Sequence, residues 1–256
     1  MPHPHLPPEI CDSIIDLLHN EPQTLGRCCL VSKSWIPRAR KNLFAVIRFS
    51  SRAKIDKWKE VFPDPSNFPA LYTHTLEVNY FTRDTSADVV EGGWIPNLSR
   101  VVRLELHLGS KANFAPFYRF SHTVKDLCVE CSSLPYLPVF NLVRSLPFLE
   151  DLFLSDIRAD PNPDDSDGVH IVVPSLTSPP LTGSLKLSLG SGISNAVRPL
   201  LDMPNGLHFR KLTLSLFGRG DFRYIPELVA ACSATLEYLC VSYKWSGAIH
   251  SMFLFC

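Results

Sequence analysis

The chain has no excess of either charge. Its 25 Lys and Arg residues balance 25 Asp and Glu over 256 residues, so no global field steers it toward nucleic acid or an acidic membrane surface. It also lacks an apolar run near the roughly 20 residues that a spanning helix requires. The opening MPHPHLPPEI does not follow the charged, apolar, small-residue order of a secretory signal. A protein of the cytoplasm or nucleus is expected, with neither nucleic acid nor membrane as a partner. The eight cysteines, two of them adjacent at Cys28 and Cys29, do not make a secreted disulfide framework, and reduced thiols are expected.

Signatures of catalysis are missing as well. Gly190 to Gly192 reads GSG but lacks the third glycine and the Lys-Ser or Lys-Thr dipeptide of a phosphate loop, so it reads as a turn. No G-x-S-x-G elbow and no H-E-x-x-H pair occurs among the nine histidines. Cys128 and Cys131 form a C-x-x-C, but Leu127 and Val129 set a strand phase that turns Cys128 outward and Cys131 inward. Opposite faces cannot chelate one ion. The chain therefore reads as a non-enzyme without cofactor, metal or catalytic residue; a dispersed Ser, His and Asp set, which needs no local motif, is the remaining enzymatic alternative.

What is present is concentrated in the first fifty residues. Pro7 and Pro8 suit a helix start, where a missing N–H costs nothing, and Glu9 complements the positive end of the dipole, which predicts a helix from near Pro8. Ile10, Ile14, Leu17 and Leu18 recur at three- and four-residue steps until Glu21 and Pro22 interrupt them. A second helix fits Gln23 to Leu30. Ser32 is a candidate N-cap for a third segment holding Trp35, in which Pro37 must either sit in the first turn or bend the helix. Three short helices cannot bury all of these side chains, because a core in a unit under roughly 70 to 80 residues supplies no more than about 3 to 5 kcal/mol. The surplus packs either on the downstream chain or on another protein.

Leu6, Pro7, Glu9, Ile10, Ile14, Leu17, Leu18, Leu25, Leu30, Val31, Ser32, Trp35, Leu43 and Phe44 resemble the F-box motif in order and spacing, over about residues 5 to 48. The resemblance implies a three-helix module that docks on the Skp-type adaptor of a cullin-RING ubiquitin ligase through Leu6, Pro7, Ile10, Ile14, Leu30, Val31 and Trp35. Pro37 and the Cys28, Cys29 pair depart from the pattern.

From Leu71 onward helical periodicity gives way to short L-x-L segments, whose alternation predicts strands. Their first apolar residues are Leu76, Leu104, Leu127, Leu152, Leu185, Leu212 and Leu239, separated by 28, 23, 25, 33, 27 and 27 residues. Leucine-rich repeats run roughly 20 to 29 residues per unit, so an irregular solenoid of that kind is expected; the alternative is an ordinary α/β sheet without true repeats. Apolar residues also stand three positions earlier, at Val101, Val124, Leu149, Phe209 and Leu236. The usual asparagine after each strand is absent. Ala159 to Pro180, with five prolines and four aspartates, accounts for the longest interval as an exposed acidic loop. Phe140 to Glu150 and Arg223 to Ser233 carry helical spacing and supply return segments.

The expected fold class is therefore α+β or an α/β repeat: a three-helix F-box at 1–48, a helix and proline-punctuated linker at 49–70, and a leucine-rich-repeat-like recognition domain at 71–256. The apolar end at KWSGAIHSMFLFC suggests a shortened array. Outward residues of the strands line one face, with Arg103, Glu105, Asp126, Asp151, Phe153, Lys186, Lys211 and Tyr238 as candidate substrate contacts and the two aromatics as anchors. The function so implied is that of a substrate-recognition subunit of a Skp-cullin-F-box ligase, contacting the adaptor, through it cullin, and a protein target. The alternative is a scaffold outside ubiquitination.

Overall fold

The computed structural model describes residues 6–64, 68–80, 98–109, 114–131, 136–155, 181–189, 193–216, 223–245 and 248–255. Three helices come first: α1 (Pro8–Leu17), α2 (Pro22–Val31) and α3 (Ile36–Leu43), each with a proline in its first turn. Pro37 thus opens α3 rather than bending it. Ser32 does not cap α3; it ends α2 in extended backbone, and Trp35 holds the N-cap position. Ile15, Leu25, Cys28 and Ala39 fill a small core between the helices, with Leu18, Cys29, Trp35 and Leu43 packed on it.

Strands follow at every L-x-L segment, but they begin earlier than the sequence indicated. β1 (Val46–Phe49) lies directly after α3. β2 (Thr75–Tyr80), β3 (Arg103–Leu108), β4 (Asp126–Cys131), β5 (Asp151–Ser155), β6 (Leu181–Leu189), β7 (Leu207–Leu216), β8 (Tyr238–Trp245) and β9 (Ala248–Phe255) complete one sheet in sequence order. The first eight strands are parallel and β9 joins β8 antiparallel. The returns include α5 (Tyr136–Arg144), α6 (Ile193–Leu201) and α7 (Ile225–Cys232).

This corrects the expected fold class. The structure is an α/β fold built on a single sheet, not a three-helix F-box followed by an irregular leucine-rich-repeat-like solenoid. Spacing could not separate the two, because any parallel neighbour needs a crossover of a dozen or more residues, so a recurrence near 25 suits an ordinary α/β sheet as well. Continuity decides it. β1 pairs with β2 from Val46↔Thr75 to Phe49↔Val78, and one apolar core runs from Ile47 to Val241.

Register gives the core its form. Ile47, Leu76, Leu104, Leu127, Leu152, Leu185, Leu212 and Leu239 stand side by side across the strands, and all are buried. A second row two residues on, from Phe49 through Leu106 and Leu154 to Val241, is equally buried, as period-two geometry requires. The apolar positions three residues before the first core leucine of five strands, Val101, Val124, Leu149, Phe209 and Leu236, are buried too. Val139, Phe140, Val197, Leu200 and Leu228 from the helices close the layer.

Two local features shape this sheet. Gly183 takes φ +82 at a register shift between β6 and β7, and a Cβ there would sit 2.2 Å from the Glu150 carbonyl oxygen. Only glycine suits a left-handed backbone pressed so close to a neighbouring chain segment. Beside the edge strand β1, α4 (Arg52–Val61) starts at Ser51, whose hydroxyl accepts from the Lys54 N–H. Trp58 of α4 meets Phe49 edge-on at 5.7 Å and Phe44 at 6.1 Å, so this helix packs on β1. Ala159 to Pro180 and Gly190 to Gly192 lie outside the described residues.

Candidate protein-docking surfaces

The first surface comprises the exposed sides of α1 and α2, here called the α1–α2 face. Leu6 is 59% exposed, Leu17 80%, Leu30 87% and Val31 65%, with Ile10 and Ile14 beside them at 47% and 41%. These six large apolar side chains are exposed on a small helical unit that has its own internal core of Ile15, Leu25, Cys28 and Ala39, and so much exposed apolar surface on so small a unit makes it a candidate interaction site. Pro7 precedes α1 and donates no N–H; its carbonyl accepts from the Ile10 and Cys11 amides. Trp35 differs from its companions. It is half-buried against the helix core, so it contributes to packing as well as to the face.

A polar clamp holds α1 to α3 behind that face. The Asp16 carboxylate accepts from Arg38 Nε at 2.6 Å, from a second Arg38 nitrogen, and from Asn42 Nδ2 at 2.8 Å. The Arg38 and Asn42 hydrogen bonds hold the Asp16 carboxyl at about 2, below its ordinary 3.8. A lowered folded-state pKa adds stability that is complete above about pH 4 and is lost as pH falls toward about 2. The pair is about one-third exposed, so water and salt weaken it. Hydrogen exchange across residues 8–31, corrected for intrinsic rates, is expected to rise between pH 4 and 2. Asp16→Asn is expected to exchange faster at neutral pH and to show no rise in that interval.

The second surface is the sheet face opposite the apolar core. In one row Arg103, Asp126, Asp151, Ser184, Lys211 and Tyr238 are register partners; in the next stand Arg48, Glu77, Glu105, Cys128, Phe153, Lys186, Thr213 and Cys240. The structure thus brings all eight candidate substrate contacts onto one face. Arg103 bridges Glu105 at 2.6 Å and Asp126 at 2.8 Å. Lys186 lies over the Phe153 ring, 4.7 Å from its centre. Burial raises the Asp126 carboxyl, with Arg103 opposing the shift. Burial also pushes the Cys128 thiol up to about 12, helped by Glu105 and Glu130, so this cysteine stays protonated at neutral pH and is a poor nucleophile. The Cys131 side chain lies outside the described residues.

Sequence reasoning missed the beginning of this face. Arg48, Glu77 and Asn79 come from β1 and β2: Arg48 bridges Glu77 at 2.5 Å and Asn79 donates to it at 2.7 Å. His107 Nδ1 meets Glu130 at 3.1 Å. Ligand atoms of Glu77, Glu105 and His107 lie within 4.8 Å of one another, but each carboxylate already has an arginine. The cluster is therefore an ionic network in which protein cations match the acids. From β2 to β5 the face is mainly acidic, whereas Lys186 and Lys211 make its β6 to β7 end basic.

No protein-family model matches the chain, and no curated protein matches it. Among the described residues no helix is long and apolar enough to cross a membrane.

Proposed function

We propose that this chain is a substrate-recognition subunit of a Skp-cullin-F-box type ubiquitin ligase, working in the cytoplasm or nucleus and catalysing nothing itself. The adaptor docks on the α1–α2 face and a protein target on the polar face of the sheet. One observation carries the reading: Leu6, Ile10, Ile14, Leu30 and Val31, five of the seven residues that the F-box resemblance assigns to the adaptor, are exposed apolar side chains. Ile15, Leu25 and Ala39 meanwhile supply the internal core. Each large side chain withdrawn from water on docking contributes about 1.5 to 3 kcal/mol before the cost of association. The target's face is charge-mixed and built on a rigid sheet, which suits recognition by complementarity rather than by a deep pocket.

Bringing a target near the transfer machinery raises its effective concentration there, and that is the entire chemical contribution asked of such a subunit. Affinity purification of the tagged chain from cell extract tests the assignment. Adaptor and cullin are expected to elute together with it. Adaptor without cullin would place the chain in a scaffold outside ubiquitination, and recovery of neither adaptor nor cullin would overturn the reading.

A further inference from the structure

A third surface lies at the first edge of the sheet. β1 pairs with β2 alone among the described strands, so its other edge presents backbone N–H and C=O groups with no strand partner, a template for pairing with another chain. A groove of about 370 Å³ runs beside it. Val46, Ile47, Arg48 and Phe49 line this groove in unbroken succession. Successive strand residues point to opposite faces, so a groove touching four in a row follows the strand's edge rather than either face. Phe44, Trp58 and Phe62 supply an aromatic wall, and Val46 and Val61 stand 41% and 56% exposed beside it.

Charge identifies the occupant. Lys54, Lys57 and Arg48 line the groove, and among the described residues no carboxylate does. Arg48 is committed to Glu77, whereas Lys54 and Lys57 form no ion pair among the described residues and project from exposed positions on α4. We infer that this groove takes an extended acidic segment of a partner protein, added as a strand to β1, with an apolar side chain on the Phe44–Trp58–Phe62 wall and carboxylates at Lys54 and Lys57. Main-chain hydrogen bonds supply affinity in such strand addition and alternate side chains supply specificity. The inference goes beyond the adaptor and target surfaces and depends on neither.

A fluorescent peptide that alternates Val or Phe with Glu, titrated by anisotropy into the full chain, tests it. Saturable binding is expected, and methylating the peptide's alternate backbone nitrogens is expected to weaken it about tenfold or more, because the strand's carbonyls lose their donors. The double change Lys54→Glu, Lys57→Glu, at exposed positions that leave the fold intact by circular dichroism, is expected to weaken it similarly, and a peptide carrying Lys in place of Glu is expected not to bind. Leu30→Asp with Val31→Asp should bind the peptide like the parent, which separates this groove from the adaptor face. Absence of saturable binding, or binding indifferent to nitrogen methylation or to the two lysines, would overturn the assignment.

Discussion

Leu152→Asp is expected to abolish the cooperative thermal melt of the chain, while the neighbouring Phe153→Asp leaves the midpoint nearly unchanged. Leu152 is 1% exposed and stands in register between Leu127 and Leu185, both fully buried. A carboxylate there has no cation within the apolar layer. It must either stay ionised without solvation or take up a proton, and both routes cost several kcal/mol. Because a domain is stable by only about 5 to 15 kcal/mol, a loss of that size is decisive. Phe153 faces the polar side, half-exposed, between Cys128 and Lys186. Its replacement forfeits a cation–π contact of roughly 0.5 to 1 kcal/mol and gains a carboxylate beside Lys186, so the net change stays within about 1 kcal/mol. Circular dichroism melts of the two variants check this, and equal large losses would show that the outward face is misassigned.

That contrast was legible in the sequence because alternation has only two phases, and Leu104, Leu106, Leu212 and Leu214 fix it independently in other strands. The start of α1 was legible because a proline in the first turn costs nothing and Pro8 sits there; Pro22, which ends the first apolar stripe, also opens α2, and α3 begins at Ile36 rather than after Ser32. Other features had no local signature. β1 reads only VIRF, four residues without the L-x-L phrase, so nothing before the structure tied it to Leu76 and made the sheet continuous. Asp16 meets Arg38 and Asn42 across 22 and 26 residues, a contact that no spacing rule predicts. The inner face of α1 was ambiguous by arithmetic: Cys11, Ile15 and Leu18 satisfy the same i, i+4, i+7 pattern as Ile10, Ile14 and Leu17. Packing chose the first set for the core, and with it left the second in water.

The choice of faces leads to the last expectation: Leu30→Asp combined with Val31→Asp should abolish adaptor capture while the chain stays folded. Leu30 and Val31 are 87% and 65% exposed at the end of α2, so aspartate there replaces water-facing apolar surface and alters stability by less than about 1 kcal/mol. In a docked complex the same two side chains leave water, and their loss removes about 3 to 5 kcal/mol before the penalty of burying two carboxylates. At roughly 1.4 kcal/mol per tenfold, affinity falls by about two to three orders of magnitude or more. Trp35→Ala is a poorer probe, since Trp35 also packs on the helix core and weaker capture would mix docking with folding. Ile15→Asp supplies the opposite control: that residue is fully buried, so the change should unfold α1 to α3 and lose capture for the wrong reason. Immobilised adaptor titrated with parent and variants, alongside hydrogen exchange of residues 8–43, separates the cases. Parent-like capture by the folded double variant would remove the α1–α2 face from consideration as the adaptor site.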